Sequence, residues 1–390
     1  MLLAALVLSL SAQAESWCAS PLYVHEWGVE VFRADGHREP PVELPGWFYN
    51  GPGSDTLGGQ PVRDLPADSG VRTLPVVHFY APRVWGDDVP LAVEVGFREG
   101  QASAWYPQAD LVRPAREANG ALAFAARLAL EVQRANRVPF VEPKDPLPGD
   151  PTAQLVWDAL TLSPEPSNRP MDTDVVWVHT LRDLDALWVE RGTESERFLF
   201  YEADTRERPA LRVERGETWA PDRPHYVLYN DSEHAIHDVL VVHDGGAATF
   251  FAPSIPAGSY AGFLMDSPEV EDLRALVERR LVDADRSEAP TQASWIFDDC
   301  VMTRDPAVPV RRAGGHRMFQ PEVDAILEVW GERFFEQDGT TIIYREDAAS
   351  LDRLVPLSVY TDMYHYVELR RLSLILWEGL DLTAMTREER

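Results

Sequence analysis

Residues 23–32 read "YVHEWGVEVF". His25-Glu26 opens as a metalloprotease His-Glu-x-x-His would, but the fifth position is Val29 and Gly28 sits inside the motif. A helix loses about 1 kcal/mol at such a glycine relative to alanine, and the zinc motif needs both histidines one turn apart on one face. The apolar period is two. Tyr23, His25, Trp27, Val29 and Val31 fall on one face, and Glu26 on the other. The stretch therefore predicts a strand, with His25 a hydrogen-bonded core histidine between Tyr23 and Trp27.

Strand signals continue outward from it. "TLPVVHFYAP" (73–82), "VPLAVEVGF" (89–97) and "SAWYP" (103–107) are β-rich runs bounded by Pro and Gly. Residues 36–70 read as a long loop, and 114–150 as an insertion with helix-forming composition followed by a proline-rich stretch. "QLVWDALTLSP" (154–164) fits a short helix or a strand. From 171 to 265, short β-rich segments alternate with turns, among them "DVVWVHT", "RFLFYEA", "HYVLYN" and "DVLVVHD"; Asp244-Gly245-Gly246 is a hairpin turn. That spacing predicts an immunoglobulin-like β-sandwich. The last third changes style. Residues 267–284 predict a helix capped by Ser267 and opened by Pro268. Residues 320–339 predict another, opened by Pro321, with Val323, Ile326, Leu327, Trp330 and Phe334 inward. "TTIIYRE" then reads as a strand. The expected fold is mainly β with a C-terminal α+β segment and two β-sandwich-like regions. The expected division is a β-rich domain at 15–170, an immunoglobulin-like sandwich at 171–265 and the α+β segment at 266–390.

Composition bounds the rest. The 390 residues carry a formal charge of −28, with 45% hydrophobic residues, 31 prolines and 24 glycines. This is a folding composition, and its charge repels phosphate backbones, so nucleic acid is excluded as an expected partner. "MLLAALVLSLSAQAES" has the apolar run and small-x-small ending of a secretory signal peptide, cleaved after Ala14, although no basic residue precedes the run. The run is too short to span a bilayer, and no other segment is apolar enough, so no transmembrane segment is expected. The expected location is secreted or periplasmic. There the two cysteines, Cys18 and Cys300, predict one disulfide, contributing about 5 kcal/mol in the chain-entropy model.

Chemical signatures are sparse. No Gly-x-Ser-x-Gly, Walker loop or dinucleotide glycine motif is present, and the only lysine, Lys144, lies in a proline-rich run. Reading 225–230 and 237–243 as one hairpin puts His237 and His243 about 20 Å apart and His225 and His243 on opposite faces. Only His234 and His237 could then share an ion, and two ligands are too few, so no metal is expected there. His179 ends the expected strand "VVWVH", at a sandwich rim where loops carry function. Trp105 and Tyr106 could form an aromatic surface for stacking sugars, against the commoner core role of strand aromatics.

"VHEWG", "VVHFYAPR", "AWYP", "ERFLFYEAD" and "EVWGERFFEQDGTTIIY" together resemble a family of uncharacterised secreted bacterial proteins with an N-terminal His-Glu-Trp-Gly motif. Val29-Glu30-Val31 departs from that family's usual Thr-Phe-Thr, and His78 stands where the family often has another residue. The resemblance implies secretion and a multidomain β-rich build, and favours a strand at 154–162. It implies no established activity, catalytic residue or cofactor. The expected function is binding of an extracellular or envelope ligand. The alternatives are an extracytoplasmic hydrolase with an unrecognised site between domains, metal-dependent or not, with His25, Glu26 and His179 as ligands or acid/base groups, and a carbohydrate-binding protein.

Overall fold

The computed structural model describes residues 17–19, 21–33, 43–49, 71–81, 89–98, 101–113, 139–141, 153–204, 209–216, 225–246, 248–264, 272–285, 287–288, 301–303, 310–361 and 366–382. The expected signal peptide, Cys300 and most of 36–70 and 114–150 lie outside the described residues.

The fold is mainly β. The stretch that opened the analysis lies in the strand Pro21–Arg33. On one side it pairs in parallel with Tyr366–Leu380, Glu26 opposite Arg371. On the other it pairs antiparallel with Val71–Tyr80, His25 opposite His78. This trio is the middle of a nine-stranded sheet. The sheet runs Ala248–Ile255, Ile236–His243, Thr340–Arg345, Tyr366–Leu380, Pro21–Arg33, Val71–Tyr80, Leu199–Asp204, Gln101–Tyr106; Val310–Gly315 pairs in parallel with Tyr366–Leu380 off that path.

Both faces of the sheet are covered, so strands at its centre are apolar on both sides. On one face Trp27, Val76, Phe200, Leu372 and Leu374 pack against three helices: α1 (Val176–Arg182), α2 (Leu273–Leu281) and α3 (Gln320–Phe335). On the other face Leu22, Val24, Val77, Phe79, Leu199 and Val367 meet a seven-stranded sheet. Its contributors to that core include Val89–Phe97, Ala153–Ser163 and Leu357–Tyr360. Further along the same face, Val239, Val241, Ile342 and Ile375 are covered by the inner side of a three-stranded sheet, Leu211–Arg215, His225–Asn230 and Tyr260–Leu264. A short helix, α4 (Ala348–Leu354), lies between Thr340–Arg345 and the seven-stranded sheet in sequence, with Leu351 in the core.

Several expectations hold. Pro21–Arg33 is extended, 154–162 is a strand, and α3 starts at Pro321's turn with Val323, Ile326, Leu327, Trp330 and Phe334 all buried. Others need correction. "DVVWVHT" forms α1, because Trp177, Val178 and Leu181 are buried at helical spacing while Val176 is 73% exposed. The helix expected from Ser267 is described only from Asp272, whose side chain accepts from the Ala275 amide. Residues 225–230 and 236–243 are not a hairpin; they belong to different sheets, and the chain crosses between layers at Asn230, whose amide donates to the carbonyls of His234 and Ile255. The strands of 171–265 are divided among all three larger sheets, and the nine-stranded sheet draws on 15–170, 171–265 and 266–390 alike. Those segments therefore do not close separate sandwiches.

Candidate functional site

His25 lies on the helix-facing side of the central sheet and is fully buried. Its Nδ1 is 2.7 Å from Oε2 of Glu322, in the first turn of α3. The same carboxylate oxygen accepts from the Phe319 amide at 3.0 Å, so Glu322 both caps the helix and ties it to the sheet. Burial raises the Glu322 carboxyl, but the charge and hydrogen bond of His25, the charge of His78 and the Phe319 amide outweigh it and hold the group below the usual range. An ionised Glu322 only accepts, so the His25 proton in this contact sits on Nδ1.

His78 faces His25 across the two strands, as sheet pairing dictates. Its Nδ1 is 3.9 Å from Glu322 Oε1, beyond hydrogen-bond reach. Both ring nitrogens of His78 are buried without a hydrogen-bond partner, as are Glu322 Oε1, His25 Nε2 and Tyr80 Oη. Burial pushes the His78 imidazole down to about 4, against the pull of Glu322. Burial, reinforced by the Glu322 charge, raises the Tyr80 phenol well above its ordinary value. Aromatic rings enclose the group: Phe319 at 4.4 Å and Tyr80 at 5.5 Å from the His25 ring, Trp27 stacked on His78 at 6.1 Å.

Glu26 points to the opposite face, as the period of two requires. It accepts from the Tyr201 hydroxyl and from Arg371 Nε. Arg371 also bonds Asp352 at 2.9 Å and the Val355 carbonyl at 2.8 Å. Burial opposes the Arg371 charge, but Glu26 and Asp352 more than offset it and raise its pKa. The cluster sets one guanidinium between two carboxylates and braces the sheet to α4, with each ion hydrogen-bonded as burial demands.

The remaining sequence candidates separate. His179 is on α1, its Nε2 2.9 Å from the Thr173 carbonyl. His237 bonds Asp347 at 3.2 Å. His234 Nε2 accepts from Arg353 at 2.9 Å, which leaves that nitrogen no lone pair for a metal. His243 bonds Thr340 at 2.8 Å. Trp105 and Tyr106 are buried and present no stacking surface, a correction that follows from their strand lying inside the nine-stranded sheet's covered span. Cys18 sits on the strand Trp17–Ala19, opposite Met302 of Val301–Thr303, directly after Cys300.

An outward aromatic surface does exist elsewhere. On the solvent side of the three-stranded sheet, Arg212, Tyr229 and Tyr260 are cross-strand neighbours in one row. Tyr260 is 67% exposed, and Leu264, two rows along, 39%. The two tyrosine rings lie 5.8 Å apart, and the Arg212 guanidinium sits 4.5 Å over Tyr229 while pairing with Asp231 at 2.8 Å. Gly216 and Gly262 flank His225; a Cβ at Gly262 would lie 2.6 Å from its Nε2, so only glycine leaves the ring its slot. A second opening, about 280 Å³, lies between Val89–Phe97, Ala153–Ser163 and Tyr360, lined by Pro90, Asp158, Thr161 and Thr361. It is slightly smaller than small-molecule sites usually are.

Sequence reasoning missed Glu322, His78 and Tyr80 as partners of His25. His78 and Tyr80 were visible as polar positions on one face of an alternating strand, and Glu322 as an acidic residue just behind Pro321. Their meeting depends on a helix packing some 300 residues away, which no local pattern encodes. No protein-family model matches this chain, and no curated protein matches it.

Proposed function

We propose that this chain is a binding protein acting outside the cytoplasm, and that its contact surface is the outer face of the three-stranded sheet. The carrying observation is Tyr260, 67% exposed beside Tyr229 and Arg212. Large apolar side chains standing free on a flat sheet face mark contact sites, and tyrosine gives rigid area at low entropic cost. Aromatic faces with Arg212, Glu214 and Asp231 at the margin suit a neutral saccharide, whose C–H faces stack and whose hydroxyls pair with forked charged groups. The N-terminal apolar run and the resemblance to secreted proteins support the location.

Glycan-array screening of the purified protein tests the reading, followed by calorimetry on any hit. Tyr260→Ala is expected to weaken binding tenfold or more, about 1.4 kcal/mol, without changing the unfolding midpoint. Binding that ignores Tyr260→Ala would move the site elsewhere; an array with no hits would end the saccharide reading.

A further inference from the structure

We propose that His78, Glu322 and Tyr80 form a buried site for one divalent transition-metal ion of the zinc class, with His25 positioning the carboxylate from behind. Three independent features converge. His78 Nδ1 and Glu322 Oε1 are buried without hydrogen-bond partners, and the Tyr80 hydroxyl lies against the Glu322 carboxylate without closing a hydrogen bond of good geometry, while the other carboxylate oxygen is engaged by His25 and the Phe319 amide. Leaving such atoms unpaired in a core is costly, so a native fold rarely leaves several of them side by side. The 3.9 Å between His78 Nδ1 and Glu322 Oε1 is too long for a hydrogen bond but close to the span of an ion bonded to both, since zinc–nitrogen and zinc–oxygen bonds are each about 2.0–2.2 Å. Drawing the two in by a few tenths of an ångström gives tetrahedral spacing. Finally, the His25 hydrogen bond to Glu322 is the outer contact that orients a ligating carboxylate.

No three His, Cys, Asp or Glu side chains among the described residues converge on an ion. The third donor here is the phenol of Tyr80, on the same strand and face as His78 and 5.5 Å from the His25 ring. Imidazole, carboxylate and phenolate suit zinc and its first-row neighbours rather than calcium or magnesium. Because His78 and Glu322 are wholly buried, the ion enters before α3 closes on the sheet. The phenol releases its proton to the solvent as it binds during refolding, and the dication holds the phenolate.

The test is to unfold the full chain with chelator present, refold it with Zn2+ or Co2+, desalt, and measure metal per chain. One zinc per wild-type chain is expected, with a higher thermal midpoint than the metal-free protein. Tyr80→Phe and His78→Ala should each retain less than a tenth of it, and His237→Ala should retain all of it. If His78→Ala does not fold, Tyr80→Phe alone decides. Wild type refolded without bound zinc, retention by either variant, or loss in His237→Ala overturns the site. His25→Gln should keep the ion but change the visible spectrum of the cobalt form; an unchanged spectrum removes His25 from it.

Discussion

At the scale of single residues, the charged groups at the centre of this core come in partnerships. His25 with Glu322 and Glu26 with Arg371 are back-to-back pairs on neighbouring positions of one strand, one per face. Removing one member leaves the other buried and unmatched, which typically costs about 3–5 kcal/mol. Arg371→Met should therefore destabilise metal-free protein by that order in urea unfolding, while Arg169→Met, at an exposed pair, should change it by less than about 1 kcal/mol. Acid sensitivity follows from the same residues. His78 binds its proton near 4 when folded and near 6.5 when unfolded, so the unfolded chain takes up more protons between those values. Metal-free stability should be full above pH 6.5 and fall toward pH 4, by an amount on the order of 3 kcal/mol. Glu322, held below its ordinary range, adds a loss in the same direction at lower pH. His78→Gln should flatten the upper part of the curve, read as urea midpoint against pH. From sequence, the extended backbone and the opposed faces of His25 and Glu26 were legible, because both depend only on period. The identity of each partner was not.

At the scale of elements, legibility tracked how much of an element's pattern is local. Helix α3 carries its own start signal and a full apolar stripe, and it forms where those features place it. Helix α1 carries no such signal: Val175 makes no side-chain cap, and its seven residues hold two valines and a tryptophan that alternate as well as a strand does. Packing of Trp177, Val178 and Leu181 under the sheet decided that contest. The strand His225–Asn230 shows the reverse failure: correctly read as a strand, wrongly paired, because the turn at Asn230 changes layers. Its actual neighbours make a prediction. Gly262→Val should press on the His225 ring and cost about 1–3 kcal/mol. In the same sheet Tyr260→Ala should be nearly silent in unfolding while affecting ligand capture, which separates packing from recognition.

At the scale of the whole molecule, the fold is one long sheet roofed by helices on one side and by two smaller sheets on the other. Composition and strand density announced the β class; they did not announce that the strands are shared. Residues 171–265 illustrate why. Their spacing matches an immunoglobulin-like domain, yet they supply the seven-, nine- and three-stranded sheets at once. Expressed alone, 171–265 should show no cooperative thermal transition, whereas the full chain should; circular dichroism during heating distinguishes the two. A sharp transition in the fragment would restore the autonomous sandwich.

The parallel union of Pro21–Arg33 with Tyr366–Leu380 sets a timetable for assembly. Glu26 and Arg371 are 345 residues apart. Ribosomes emit that span at roughly 5–20 residues per second, so although Val71–Tyr80 is at hand early, the other edge of Pro21–Arg33 waits tens of seconds for its partner. Until then that edge presents a row of unpaired amides and carbonyls, the surface on which a nascent chain is most exposed to wrong pairing.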